Sequence, residues 1–203
     1  YVVADPHYFA HELGCWGEVY EERMKFEQKC FAENQAINEA VFDWLINDAN
    51  EADTVLIAGD LAFNGEKASA LGFIELLKKL KASGKKVYLI TAGHDFNDAP
   101  PAYNETGRFT VEGTKREDLY DMYYEYGFSD AIAVDKKNLS YVAQLGEGLR
   151  LLVLNNDGDR EGKYKNTFLP EQLEWAREQA KKAKEDGQVM IGMTHYPLLP
   201  ACP

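Results

Sequence analysis

Short aliphatic, β-branched runs alternate along this chain with stretches whose apolar residues recur every three or four positions, an alternation that few architectures accommodate. The runs at 1–4, 54–58, 86–91, 139–143, 149–154 and 189–193 are predicted as strands. Between them Ala36, Ile37, Ala40, Val41, Trp44 and Leu45 have the spacing of one buried helix face, as do Ala70, Phe73, Leu77 and Leu80. A last helix opens on Pro170, turns Leu173, Ala176, Ala180 and Ala183 inward, and stops at Gly187. Strand, helix, strand repeated in this way predicts an α/β layer structure with a mainly parallel or mixed sheet, in one domain spanning 1–203. A chain of this length can bury about 70% of its unfolded surface, so it needs neither a disulfide framework nor a structural metal, and a metal here implies function.

Charge removes one class of partner. Lys plus Arg at 22 against Asp plus Glu at 34 leaves −12, and no basic cluster stands apart from acids, so bulk nucleic-acid binding is not expected. The longest apolar runs, such as 55–58, fall far short of the roughly 20 residues that cross a bilayer, and no transmembrane segment is expected. The chain opens directly on a strand without an initiator Met or basic leader, which suggests trimming upstream and leaves the compartment open. Cys15, Cys30 and Cys202 are odd in number and lack metal-ligand spacing, so they read as solitary thiols. Residues 8–29 and 97–116 exceed the usual strand-to-helix connection. In the first, the acidic run 18–27 is expected to be a solvated helix face, with His11 at a rim; in the second, 97–113 is expected to be an irregular loop.

Chemistry collects where the strands end. The predicted strands run into Asp5-Pro6-His7, Gly59-Asp60, Gly93-His94-Asp95, Asn155-Asn156-Asp157 and Thr194-His195. Three of the four histidines in the chain occupy such ends. In open α/β sheets the ligand crevice lies beyond the carboxyl ends of the strands, so these groups can converge from distant positions. Taken singly, each has a bland explanation as a turn cap or packed loop residue. No G-x-G-x-x-G or P-loop follows any strand, which argues against a nucleotide-binding α/β domain of the usual kind.

In this order the strand-end residues resemble the motifs of the calcineurin-like metallophosphoesterases. Asp5-Pro6-His7 matches the family's D-x-H, and Gly59-Asp60-Leu61-Ala62-Phe63-Asn64-Gly65 matches its G-D-x-x-x-x-G. Ala92-Gly93-His94-Asp95 is similar to G-N-H-D/E with Gly93 in place of Asn, and His195 resembles the later lone His. The final G-H-x-H is absent. The resemblance therefore implies a layered fold of mixed β-sheets flanked by helices, C-terminally incomplete, in a chain cut from a longer protein. Asp5-Pro6-His7-Tyr8 and the long insertion after Asp95 look most like bacterial cyclic-nucleotide phosphodiesterase-type members.

What the resemblance implies is hydrolysis of a small phosphoester, a phosphodiester such as a cyclic nucleotide, by a water activated between two divalent ions (Mn, Fe or Zn). Asp5 and His7 are then ligands of the first ion, Asp60 bridges both, and His195 serves the second. His94 donates a hydrogen bond to the leaving oxygen, with Asp95 fixing its tautomer. Gly93 offers no side chain where the family's Asn supplies an amide oxygen, and Asn97 or Asp98 could reach back to replace it. The alternative is a catalytically degenerate binding module that keeps the fold and has lost the second ion.

Overall fold

The parallel pairing that the aliphatic runs predict forms at the front of the chain. In the computed structural model, which describes residues 1–26, 34–48, 52–158 and 164–198, β1 (Val2–Val3), β2 (Thr54–Ala58) and β3 (Lys86–Ile90) make one parallel sheet in that order. Val2 lies opposite Leu56 and Thr54 opposite Lys86. β1 is shorter than the expected 1–4 because the chain leaves the extended conformation at Asp5, with φ of 52°, before regaining a bridge between Tyr8 and Ala62. The segment between β1 and β2 holds α1 (Glu18–Phe26) and α2 (Asn34–Asn47); α3 (Lys67–Ala82) joins β2 to β3 and buries Ala70, Phe73, Leu77 and Leu80 as its periodicity predicts.

The single turn of α4 (Leu119–Met122) precedes a second sheet, which is mixed. β6 (Ala131–Asp135), β7 (Ser140–Gly146) and β8 (Leu149–Val153) are antiparallel neighbours, and β9 (Val189–Met193) pairs with β8 in parallel after the crossover helix α5 (Pro170–Glu185). Residues of both sheets share one apolar core, with Val55, Ile57 and Leu89 on one side and Tyr141, Leu151 and Val153 on the other. Two polar ties cross it: Tyr141 OH donates to the Leu89 carbonyl (2.8 Å), and Asn155 Nδ2 donates to the Thr91 carbonyl (2.8 Å). The second tie joins the ends of β8 and β3 and brings together the edges that carry the chemistry.

Four expectations need correction. Residues 97–113 are not irregular: β4 (Pro101–Asn104) and β5 (Gly107–Thr110) form an antiparallel hairpin, its turn closed by Asn104 Oδ1 accepting from Thr106 and Gly107 N–H. Strand β6 went unread, its residues being half-buried or exposed in alternation. On α2 the inward residues are Asn34, Asn38, Phe42 and Leu45, while Ile37, Val41 and Trp44 face solvent. On α5, Gln172 and Gln179 replace Leu173 and Ala180 on the buried face; Pro170 and Gly187 do bound the helix as expected. Asn34, Asn38 and Gln172 win inward positions because they satisfy backbone groups that an apolar residue would leave unpaired.

His11 is exposed and beside Trp16, and Cys15 is buried. Cys30, Cys202 and the end of the acidic run at Glu27 lie outside the described residues. No helix among the described residues is long and apolar enough to cross a membrane.

Candidate metal centre

The loop leaving β2 gathers the other strand ends. Gly59 and Gly65 bracket it at φ of +83° and +78°, where a Cβ would stand 2.7 Å from His195 Nδ1 and 2.5 Å from the Phe96 carbonyl carbon, so both turns require glycine. His7 N–H donates to the Asp60 carbonyl (2.9 Å) and Tyr8 N–H to that of Leu61 (2.8 Å). His94 N–H donates to Asp60 Oδ1 (3.0 Å), and His195 Nδ1–H donates to the Ala58 carbonyl (2.7 Å).

Asp5, His7 and Asp60 adopt φ of 52°, 43° and 50°, a left-handed region that side chains seldom enter. Such conformers cost on the order of 1–3 kcal/mol each and persist where surrounding contacts impose them. Here α2 supplies part of that constraint: Asn38 Nδ2 donates to the Pro6 carbonyl (3.0 Å), and Asn34 Oδ1 accepts from Phe9 N–H (2.8 Å). Sequence reasoning passed over both asparagines, for which an unexplained polar residue on a helix face was the available signal.

Asp5, Asp60 and His195 present ligand atoms that all lie within 4.8 Å of one another. His195 Nε2 is 3.2 Å from Asp60 Oδ2, and His7 Nε2 is 3.6 Å from the same oxygen and 3.7 Å from Asp5 Oδ1. Two ligand atoms at about 2.1 Å from a tetrahedral ion sit about 3.4 Å apart, which these separations bracket. Because His195 commits Nδ1–H to a carbonyl, its Nε2 lone pair faces a carboxylate oxygen, an arrangement that needs a proton or a cation between them. Burial works to raise the Asp60 carboxyl, but the hydrogen bond and charge of His195, with His94, hold it down at about 2. Burial likewise opposes a charged His195, yet Asp60, the Ala58 carbonyl and the charge of Asp5 push it up to about 9. The donor set of two carboxylates and two imidazoles fits a divalent ion, which takes the place of that proton.

The family model for calcineurin-like phosphoesterases matches residues 1–202. The chain belongs to that family. At this level its chemistry is metal-dependent hydrolysis of a phosphoester. A crystal structure of a dimetal phosphatase from Danio rerio matches with a TM-score of 0.61 over 98% of this chain and 69% of that one; at 14% identity the likeness is one of fold. No curated protein matches the chain.

Within this calcineurin-like phosphoesterase the structure brings Asp5, His7, Asp60, His94 and His195 together and assigns Asp95 differently. His94 Nδ1–H donates to the Phe63 carbonyl (2.6 Å) and lies 3.1 Å from Asn64 Oδ1, leaving Nε2 for other chemistry. The Phe63 carbonyl, not Asp95, therefore fixes the His94 tautomer. Asp95 is fully buried and accepts from Leu61 and Ala62 N–H on one oxygen (2.7 and 2.9 Å) and from Ala92 N–H on the other (2.7 Å), so it clamps the two motif loops together. Burial pushes its carboxyl up to about 7, against the pull of the Ala62 and Ala92 amides and with the help of the Asp60 charge.

Asn97 does not replace the side chain missing at Gly93, since its Oδ1 accepts from Ala99 N–H (3.0 Å). Of the strand-end residues 155–157, Asn156 acts as a support, holding the backbone of Tyr196 through both its amide nitrogen (2.8 Å to the carbonyl) and its oxygen (3.1 Å from N–H), next to His195. Beside His94 opens a cavity of about 410 Å³ whose walls include Asn64, Phe96, Lys165 and Tyr196.

Proposed function

We propose that this phosphoesterase hydrolyses a phosphodiester, of which a cyclic nucleotide is the expected kind, with two divalent ions at the centre. The observation that supports this most directly is the approach of two imidazoles, His7 and His195, to one oxygen of Asp60. Asp5 and His7 would hold the first ion and His195 the second, with Asp60 shared between them. Manganese, iron or zinc ions bound there supply Lewis acidity to the attacking water and the phosphoryl oxygens. Asp60 stays ionised throughout, its second oxygen tied to His94 N–H. His94, held by Nδ1–H on the Phe63 carbonyl, would act as the doubly protonated imidazolium, passing its Nε2 proton to the leaving oxygen and ending neutral with Nδ1–H still on that carbonyl.

The test pairs metal analysis with hydrolysis of a 3′,5′-cyclic nucleotide and of p-nitrophenyl phosphate as the monoester. Two ions per chain and preference for the diester are expected, with Asp60→Ala losing both ions and Asp43→Ala, on the exposed face of α2, keeping them. Full metal retention by Asp60→Ala refutes the ligand set, and faster monoester hydrolysis refutes the diester. One ion or none, with neither substrate turned over, favours the binding module, the reading that Gly93 in place of an asparagine supports.

A further inference from the structure

The cavity beside His94 carries a charge pattern opposite to that of the metal centre. The carboxylates Asp5 and Asp60 stand at the ion-binding end, whereas the cavity walls contain no Asp or Glu among the described residues and instead offer three amides, Asn64, Asn97 and Asn166, with one cation, Lys165. Lys165 is exposed and makes no ion pair among the described residues. Asn64, in the same wall, turns its oxygen toward His94 (3.1 Å). A cation among amides with no carboxylate beside it recognises an anionic oxygen group, and the presence of His94 in that wall puts the group on the leaving side of the scissile bond.

Resting on the reading above, we infer that this cavity binds a second phosphate carried by the leaving group, with Lys165 as its ion-pair partner, so that the preferred substrate is a dinucleotide, cyclic or linear, rather than a diester with one phosphate. Tyr196, pinned by Asn156, and Phe96 line the same space and offer aromatic surface to the nucleoside between the two phosphates. Lys165 is a specificity residue here and takes no part in bond breaking.

The probe is a diuridine phosphodiester with and without a 3′-phosphate on its leaving nucleoside. Wild type is expected to favour the phosphorylated form by about 3- to 10-fold in kcat/KM, the worth of a partly screened ion pair, with the difference residing in KM and shrinking as salt rises. Lys165→Ala brings the ratio toward one and Lys165→Arg keeps it. No preference in wild type, or a preference that survives Lys165→Ala, overturns the inference. Calorimetric binding of the two dinucleotides reads the subsite without turnover: discrimination without hydrolysis sustains the subsite and overturns the phosphodiesterase reading, while hydrolysis of both with equal efficiency overturns the subsite alone.

Discussion

Replacing Gly59 by alanine perturbs the fold and the metal centre through one methyl group, and the two effects can be separated. The backbone at Gly59 has φ of +83°, and a side chain held in the left-handed region costs ~1–2 kcal/mol. The new Cβ also stands 2.7 Å from His195 Nδ1, 2.9 Å from its Cγ and 3.0 Å from Ala92 Cβ. The imidazole cannot retreat without stretching its hydrogen bond to the Ala58 carbonyl, a further ~1 kcal/mol, so the metal-free variant should lose ~2–3 kcal/mol in total. Gly84 supplies the control: its φ is +92° and nothing lies within 4 Å of a Cβ there, so Gly84→Ala reports the backbone share alone. Because His195 moves off its 3.2 Å approach to Asp60, Gly59→Ala should also weaken metal binding by about 10- to 100-fold, the loss seen when a ligand's support is removed. Urea denaturation of the metal-free variants and metal titration of each measure the two effects. Equal destabilisation by both substitutions, with unchanged metal affinity, would refute the contact between Gly59 and the His195 ring as the reason for glycine at 59.

His94→Ala should lower diester turnover by about 10²- to 10⁴-fold with bound metal unaltered, measured by steady-state kinetics and metal analysis; loss of metal would make His94 a ligand. Gly93 does not have a positive φ, so Gly93→Asn should fit the backbone, add an amide oxygen and tighten one ion by ~1–3 kcal/mol, read as higher activity at limiting metal; an unchanged metal dependence would count against that position. Burial pushes the Cys15 thiol up to about 11 from its ordinary 9, so the native state favours the protonated form, and the stability this contributes is whole below pH 9 and is lost as pH rises through 11. A thiol raised that far holds about 100-fold less thiolate at pH 8, so iodoacetamide should label Cys15 at least that much more slowly in the native protein than in urea, with peptide mass mapping as the readout; equal rates would contradict the burial.

The residues that converge at the candidate centre were legible in the sequence because an Asp or His at the end of an aliphatic strand stands out against β-branched neighbours, and β2 and β9 appear with the boundaries that their runs predict. The supports were not legible, because almost any carbonyl or amide can provide one. Asp95 reads as a partner for the histidine beside it, yet two of its three amide partners are 33 and 34 residues away, and no local pattern marks those. Helix α2 shows the same limit from the other side. Counting apolar residues selects Ile37, Val41 and Trp44 as inward, but two asparagine side chains bonded to the Pro6–Phe9 segment outrank that stripe, and Trp44 is left against the ring of Tyr1. The hairpin of β4 and β5 was hidden because Pro100 and Pro101 read as breakers, although proline is tolerated at the first position of a strand. Periodicity thus reports which face an element would bury if it met only an apolar core. Where a helix or loop instead packs on the strained backbone of a metal centre, the polar groups of that backbone decide the orientation, and departures from apolar patterning such as Asn34 and Asn38 become markers of what lies beneath them.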